Sequence, residues 1–187
     1  MRAATRKLAT EEQFYAAALR ALARRAYSVH DMRQTLERRL PGEAETGAKM
    51  AVERVLLRLK GEQLLDDARY ARQFANHRAE SRRQGRFRIA RELRARGVPD
   101  RHIEAALEET FREADEAAVI RQRIERRLRQ LGARGAPSRL DNRKLASLYR
   151  SLLRAGFSAE AIRAELRALA RRSIPEAGDR TSRDEQP

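Results

Sequence analysis

Apolar residues return every three or four positions along most of the chain, and glycines, prolines and capping residues between the stripes cut it into short helices. The stretch from Leu59 to Leu107 sets the pattern. Leu59 ends one apolar period with Gly61 as its expected stop, and Leu64 and Leu65 form an anchor ahead of Asp66 and Asp67, which suit the cap of a new helix. Within that helix Tyr70, Ala71, Phe74, Ala75 and Arg78 share one face. Ile89 and Leu93 mark the next stripe, Gly97 its C-terminal stop, and Val98 is placed to staple Ile103 inside a third helix. One apolar face per helix needs a partner surface, so three short helices packed as one unit are expected.

The flanking stretches read the same way. Upstream, Thr10 and Gln13 make a capping box before a stripe of Tyr15, Ala18, Leu19, Leu22 and Ala26. Ser28 with Asp31 is a second such pattern, Tyr27 can staple Met32, and Leu36 and Leu40 carry the helix to Pro41 and Gly42. Residues 41–48 are expected as a connector, followed by a helix striped by Met50, Val52, Val55, Leu56 and Leu59. Downstream, Ala117, Ile120, Ile124, Leu128 and Leu131 stripe a helix that breaks over 132–139. Asp141 can cap the next helix, with Leu140 and Leu145 as staple and Leu148 and Leu152 on the stripe. Gly156 stops it, and Phe157, Ser158 and Ile162 repeat staple and cap before Leu166 and Leu169.

The units repeat. Leu93, Gly97, Val98, Ile103 and Leu107 fall in the same register as Leu152, Gly156, Phe157, Ile162 and Leu166. Leu36 precedes Leu93 by 57 residues, close to the 59 that separate Leu93 from Leu152, with Leu40 in the glycine position and a short insertion before Val52. The expected fold is all-α: three tandem three-helix repeats over 10–65, 66–112 and 113–172 in an elongated, curved body, the usual outcome of stacking repeats. Residues 1–9 are expected as a loose basic arm and 173–187 as a disordered polar tail.

Charge adds a class of partner. The 42 basic and 27 acidic residues give a net charge of +15 and a pI near 11.3, the footprint of a protein that meets polyanions or an acidic protein. All but Lys7, Lys49, Lys60 and Lys144 of the basic residues are arginine, and trading lysine for arginine leaves the excess unchanged. Arginine suits phosphate or carboxylate because its planar fork donates two hydrogen bonds at once. Two clusters stand out. Arg82, Arg83, Arg86, Arg88, Arg91, Arg94 and Arg96 lie between Arg78 and Arg101, and Arg88, Arg91 and Arg94 point away from the Ile89 and Leu93 stripe if the helix starts near Arg86. Arg121, Arg123, Arg126 and Arg127, followed by Arg129 and Arg134, cover the polar side of the helix striped by Ile120 and Ile124, where Glu125 can pair with Arg129. Each arginine alone is read as a solvated side chain; the clusters together are read as binding faces. Phe87 lies opposite the core stripe in a helix begun at Arg86, free to stack on a base; the favoured expectation is a later start, with Phe87 tucked under the preceding helix.

Other chemistry is not expected. Asp66 and Asp67 lack companions that would complete a hydrolytic or magnesium site, and a helix cap accounts for them. His30, His77 and His102 sit on separate predicted helices without metal-ligand spacing, and Gly132 and Gly135 lack the Lys-Ser/Thr of a phosphate loop. A non-enzyme without metal or cofactor is expected. The absence of cysteine excludes disulfides and fits a reducing cytoplasm, no apolar run nears the roughly 20 residues of a membrane span, and the free protein is expected to be a monomer.

The run Gly61, Glu62, Gln63, Leu64, Leu65, Asp66, Asp67, then Tyr70, Ala71 and Phe74, resembles the signature of the RecX family of bacterial regulatory proteins. Gly85, Ile89, Glu92, Leu93, Gly97, Val98 and Ile103 extend the likeness, and Ala21 to Leu40, with Ser28 and Leu36, is similar too, so that it spans about residues 12 to 170. Where many members carry an aromatic-Gly-Pro before the second helix of the middle repeat, this chain has Gln84, Gly85 and Arg86. The resemblance implies a three-repeat helical protein that binds the RecA recombinase in its filament on DNA, restrains filament extension and recombinase activity, and so affects DNA repair and the SOS response. It implies the RecA filament as partner, with direct contact to single-stranded DNA secondary. Two rivals are a stand-alone DNA-binding protein built of helix-turn-helix modules, and a ribosome- or RNA-associated protein. The first is disfavoured because basic residues are spread over several repeats rather than one recognition helix; the second leaves the matched repeats unexplained.

Overall fold

The computed structural model describes residues 10–40, 46–112, 115–130 and 142–172, and among these the regular structure is entirely helical. In chain order the helices are α1 (Glu11–Leu22), α2 (Val29–Glu37), α3 (Thr46–Gly61), α4 (Asp67–Arg82), α5 (Arg86–Arg94), α6 (Asp100–Phe111), α7 (Glu116–Gln130), α8 (Asn142–Ala155) and α9 (Ala159–Arg172). The expected arm over 1–9, the breaks at 41–45 and 132–139, Leu131, the Leu140 and Asp141 staple and cap, Arg134 and the tail lie outside the described residues.

The helices bury their stripes in three separate cores. Phe14, Ala17 and Ala18 of α1, Val29, Met32 and Leu36 of α2, and Val52, Val55, Leu56 and Leu59 of α3 form the first, closed by Leu65 beyond α3. Tyr70, Ala71 and Ala75 of α4 meet Ile89 and Leu93 of α5 and Ile103 and Leu107 of α6, with Val98, in the second. Ile120 and Ile124 of α7, Leu148 and Leu152 of α8, Phe157 and Ile162 form the third. The chain divides after Ala114 into two compact units, one with the first two cores and the other with the third.

Local chemistry sets the helix ends. Thr10 and Gln13 close a reciprocal capping box, Ser28 accepts from the Asp31 amide at 3.0 Å, and Asp66 accepts from the Ala68 and Arg69 amides at 2.8 and 3.0 Å. Gly97 and Gly156 take left-handed φ angles of 65° and 92°. Just past each, the Val98 and Phe157 amides reach back to the carbonyls of Leu93 and Leu152, a Schellman end at matched repeat positions.

Several sequence expectations need correcting. Gly61 belongs to the last turn of α3, and the left-handed residue is Gln63, φ 56°, because the Schellman bonds close from Gln63 to Lys60 and from Leu64 to Leu59. Only Leu65 of the expected anchor is buried; Leu64 is 41% exposed. Residues 46–48 are the first turn of α3 rather than connector, and Met50 is exposed while Ala51 is buried. In α1, Phe14 and Ala17 fill the core where Leu19 is partly exposed, and Ala26 lies beyond the helix and exposed. Leu40 follows α2 in a turn and packs half-buried on the first core.

Within the first unit, α2 docks on the second three-helix group. The buried Ser28 hydroxyl, while accepting from Asp31, donates to the Arg96 carbonyl at 2.7 Å, and the Arg96 guanidinium returns to the Asp31 carboxylate at 3.0 Å. Asp67, read from sequence as part of a cap, accepts from the Val29 amide at 2.9 Å and satisfies a first-turn N–H of α2 from across the joint. Arg96 also lies 5.2 Å from the centre of the Phe74 ring. Gly97 completes the joint: a Cβ built on it would stand 2.5 Å from the Cβ and Cγ of His30.

Candidate functional site

The two basic clusters fare differently once their neighbours are known. In the first unit, Arg88 turns to Glu92 at 2.9 Å, and Arg78 reaches the same carboxylate at 3.3 Å while stacking 4.9 Å from the Phe74 ring. Arg94 pairs with Asp100 at 2.7 Å across the turn to α6. Arg82, Arg86 and Arg91 are exposed and have no carboxylate partner among the described residues. Arg83 is the exposed left-handed residue, φ 50°, that ends α4.

Helix α5 starts at Arg86 with Gly85 as its cap, so the favoured tucked position of Phe87 is overturned. At about 100° per residue, a start at Arg86 carries Phe87 off the Ile89 and Leu93 stripe and onto the flank of Arg91 and Arg94. The ring is 59% exposed. Arg82, Arg83, Arg86 and Phe87 thus cluster at the α4–α5 turn, with Arg91 one turn further on, a basic surface with an aromatic ring in it. Such a surface can hold phosphate oxygens through its guanidinium groups and offer a face for a base.

In the second unit, Arg121 is held by Glu165 at 3.0 Å and Asp115 at 3.3 Å, which ties α7 to α9. Arg123, Arg126 and Arg127 line a cleft between α7 and α8. The Arg123 guanidinium also stands 5.8 Å from the Phe157 ring centre. The expected Glu125–Arg129 pair does not form among the described residues. Sequence reasoning thus grouped four arginines of which the structure brings three to one concavity and sets one to structural use.

Electrostatics elsewhere is structural. Asp66 is held below the usual carboxylate range, chiefly by the Arg69 amide. Tyr70 is pushed up by burial. Among the described residues no group of three histidine, aspartate or glutamate side chains could hold a metal ion, and no helix is long and apolar enough to cross a membrane. His30 meets Gln34 at 3.0 Å, His77 meets Ser81 at 3.4 Å and His102 meets Arg101 at 3.4 Å. Sequence reasoning missed the role of Arg96, counted with the basic cluster but spent on Asp31, because its partner lies 65 residues away. For Arg88 the signal was present in Glu92 four residues on.

Known proteins share this fold. The family described as RecX, second three-helix domain, matches residues 66–107, which contain α4, α5 and most of α6. The regulatory protein RecX of Halorhodospira halophila is 43% identical over 121 residues, 64% of this chain and 68% of that protein. That of Thermus thermophilus is 41% identical over 105 residues, 56% of this chain and 67% of that protein. Among solved structures, RecX from Lactobacillus salivarius superposes with a TM-score of 0.67 at 17% identity, covering 86% of this chain and 96% of that one. A second crystal structure of a regulatory protein RecX gives 0.66 at 21% identity over 84% and 71% of the two chains. At these identities the structural likeness is one of fold, and the curated relatives carry the name of a regulatory protein rather than of an enzyme. By its sequence kinship to these proteins, the chain belongs to the RecX family of regulatory proteins.

Proposed function

We propose that this protein binds the RecA recombinase on its DNA filament in the cytoplasm and restrains filament extension and recombinase activity, and with them the repair and SOS responses that depend on the filament. The repeats over 10–65, 66–112 and 113–172 act as successive contact points, and single-stranded DNA is touched directly but secondarily. The observation that carries this reading is the exposed surface of Arg82, Arg86 and Arg91 around Phe87, beside Arg78, Arg88 and Arg94, which carboxylates hold. A helical protein with a basic face on each of its two units can touch neighbouring protomers and nearby phosphates together, and linked weak contacts give useful residence.

The test is filament extension followed in real time on single-stranded DNA with the cognate recombinase. The protein added below the recombinase concentration should slow extension, and Arg82→Glu with Arg91→Glu should relieve most of that slowing while leaving the helical content intact. Extension unaffected by the unaltered protein would overturn the reading. Tight binding to duplex DNA in its place would favour a stand-alone DNA-binding protein.

A further inference from the structure

The α7–α8 cleft is a different kind of site from the open surface of the first unit. It holds about 220 Å³ and is lined by Arg123, Arg126, Arg127 and Gln130 on one side and Ser151 on the other. Positions 123, 126, 127 and 130 are three and four residues apart, so one helix carries all four on a single face. The floor is the edge of the third core, where Leu148 is 3% exposed.

Guanidinium groups at these spacings repel one another and work against the helix unless an anion lies between them. No carboxylate lines the cleft, and Glu125, the acidic residue nearest in sequence, is not among its lining residues. Arg126 and Arg127 are exposed and without an ion pair among the described residues, whereas Arg121 on the same helix has two carboxylates. The cleft therefore offers concentrated positive charge with two neutral hydrogen-bonding side chains and an apolar floor. A free carboxylate would answer only part of that. A phosphate on a sugar answers all of it: guanidinium forks bind its oxygens, the Gln130 amide and Ser151 hydroxyl can donate, and the sugar can rest on apolar surface.

We propose that the α7–α8 cleft seats a phosphate group of single-stranded nucleic acid, with Arg126 and Arg127 holding its oxygens and Gln130 and Ser151 fixing its place. This rests on the reading that the protein works within reach of DNA, but it is testable without a recombinase.

The experiment uses the full chain and a fluorescein-labelled oligothymidylate of about 20 nucleotides, with anisotropy measured across a salt series. Arg126→Gln with Arg127→Gln should weaken binding about tenfold and flatten the slope of log K against log salt by about 1.4, the loss of two phosphate contacts on a single strand. Ser151→Leu, on the exposed side of α8, fills the cleft without changing charge and should weaken binding about fivefold or more. Circular dichroism of each variant verifies that the helices persist. Oligonucleotide binding unchanged by Ser151→Leu would overturn the proposal, since the arginines would then act as a diffuse charged face. Titration of inorganic pyrophosphate, followed by amide shifts, separates the other source of phosphate. Shifts at Gln130 and Ser151 with pyrophosphate, combined with oligonucleotide binding indifferent to all three substitutions, would assign a free phosphoryl ligand and overturn the nucleic-acid assignment. Variant-sensitive oligonucleotide binding supports the seat even where recombinase-coated DNA is not bound, which would count against the regulatory reading alone.

Discussion

Replacing Gly97 by alanine should loosen the joint between the first two three-helix groups. Two costs add. Gly97 has φ 65°, and a side chain in that left-handed region costs roughly 1–2 kcal/mol. The new Cβ would also stand 2.5 Å from both Cβ and Cγ of His30, so α2 or the turn after α5 must move by about an ångström; forcing extra volume into a packed contact costs about 1–3 kcal/mol. Together that is about 2–5 kcal/mol, against about 5–15 kcal/mol for a whole domain. The displacement falls beside the Ser28, Arg96 and Asp31 bonds, which hold only while α2 stays seated. Urea unfolding by circular dichroism, with hydrogen exchange on the first unit, reads the effect, because a chain of two compact units need not unfold in one step. A cycle with His30→Gly divides the two costs: the double variant should recover the steric part and keep the backbone strain. A Gly97→Ala loss under about 1 kcal/mol, or no coupling to His30→Gly, would refute the reasoning.

Other outcomes follow from the same structure. Gly61→Ala, in the last turn of α3 with nothing near its added Cβ, and Gln63→Gly, which relieves a left-handed glutamine, should each stabilise by about 0.5–1 kcal/mol in urea unfolding. Asp66 is held below its ordinary value of 3.8, so its contribution to stability is complete above that value and lost as the pH falls through the lower folded one. Asp66→Asn should keep the cap yet flatten the stability profile below pH 3.8 in acid titration. Phe87→Ala should leave stability within about 0.5 kcal/mol but weaken oligothymidylate binding about fivefold or more by anisotropy, as loss of a stacked base predicts.

What the sequence made legible was local. The caps at Thr10, Ser28 and Asp66, the glycine stops at 97 and 156 and the matched stripes all depend on residues within five positions of one another. Errors of phase were also local. The stripe puts Met50 in the core where Ala51 is buried instead, a one-residue shift that turns a helix by about 100°. Phe87 was misplaced because the start of α5 depends on Gly85, a cap without a side chain to advertise it. The joint formed by Ser28, Asp31, Asp67 and Arg96 could not be read, since its partners are 38 to 68 residues apart. The basic clusters were legible as composition only. Which arginines remain available depends on carboxylates delivered by folding, such as Asp100 to Arg94 and Glu165 to Arg121.

The most direct measurement compares binding to bare single-stranded DNA with binding to the same DNA coated by the cognate RecA, across a salt series. A regulator of the filament should bind the coated DNA more tightly and with a shallower slope of log K against log salt, because contacts to the recombinase do not release the counterions of phosphate. Equal affinity with equally steep slopes would contradict the account and leave a general binder of polyanions.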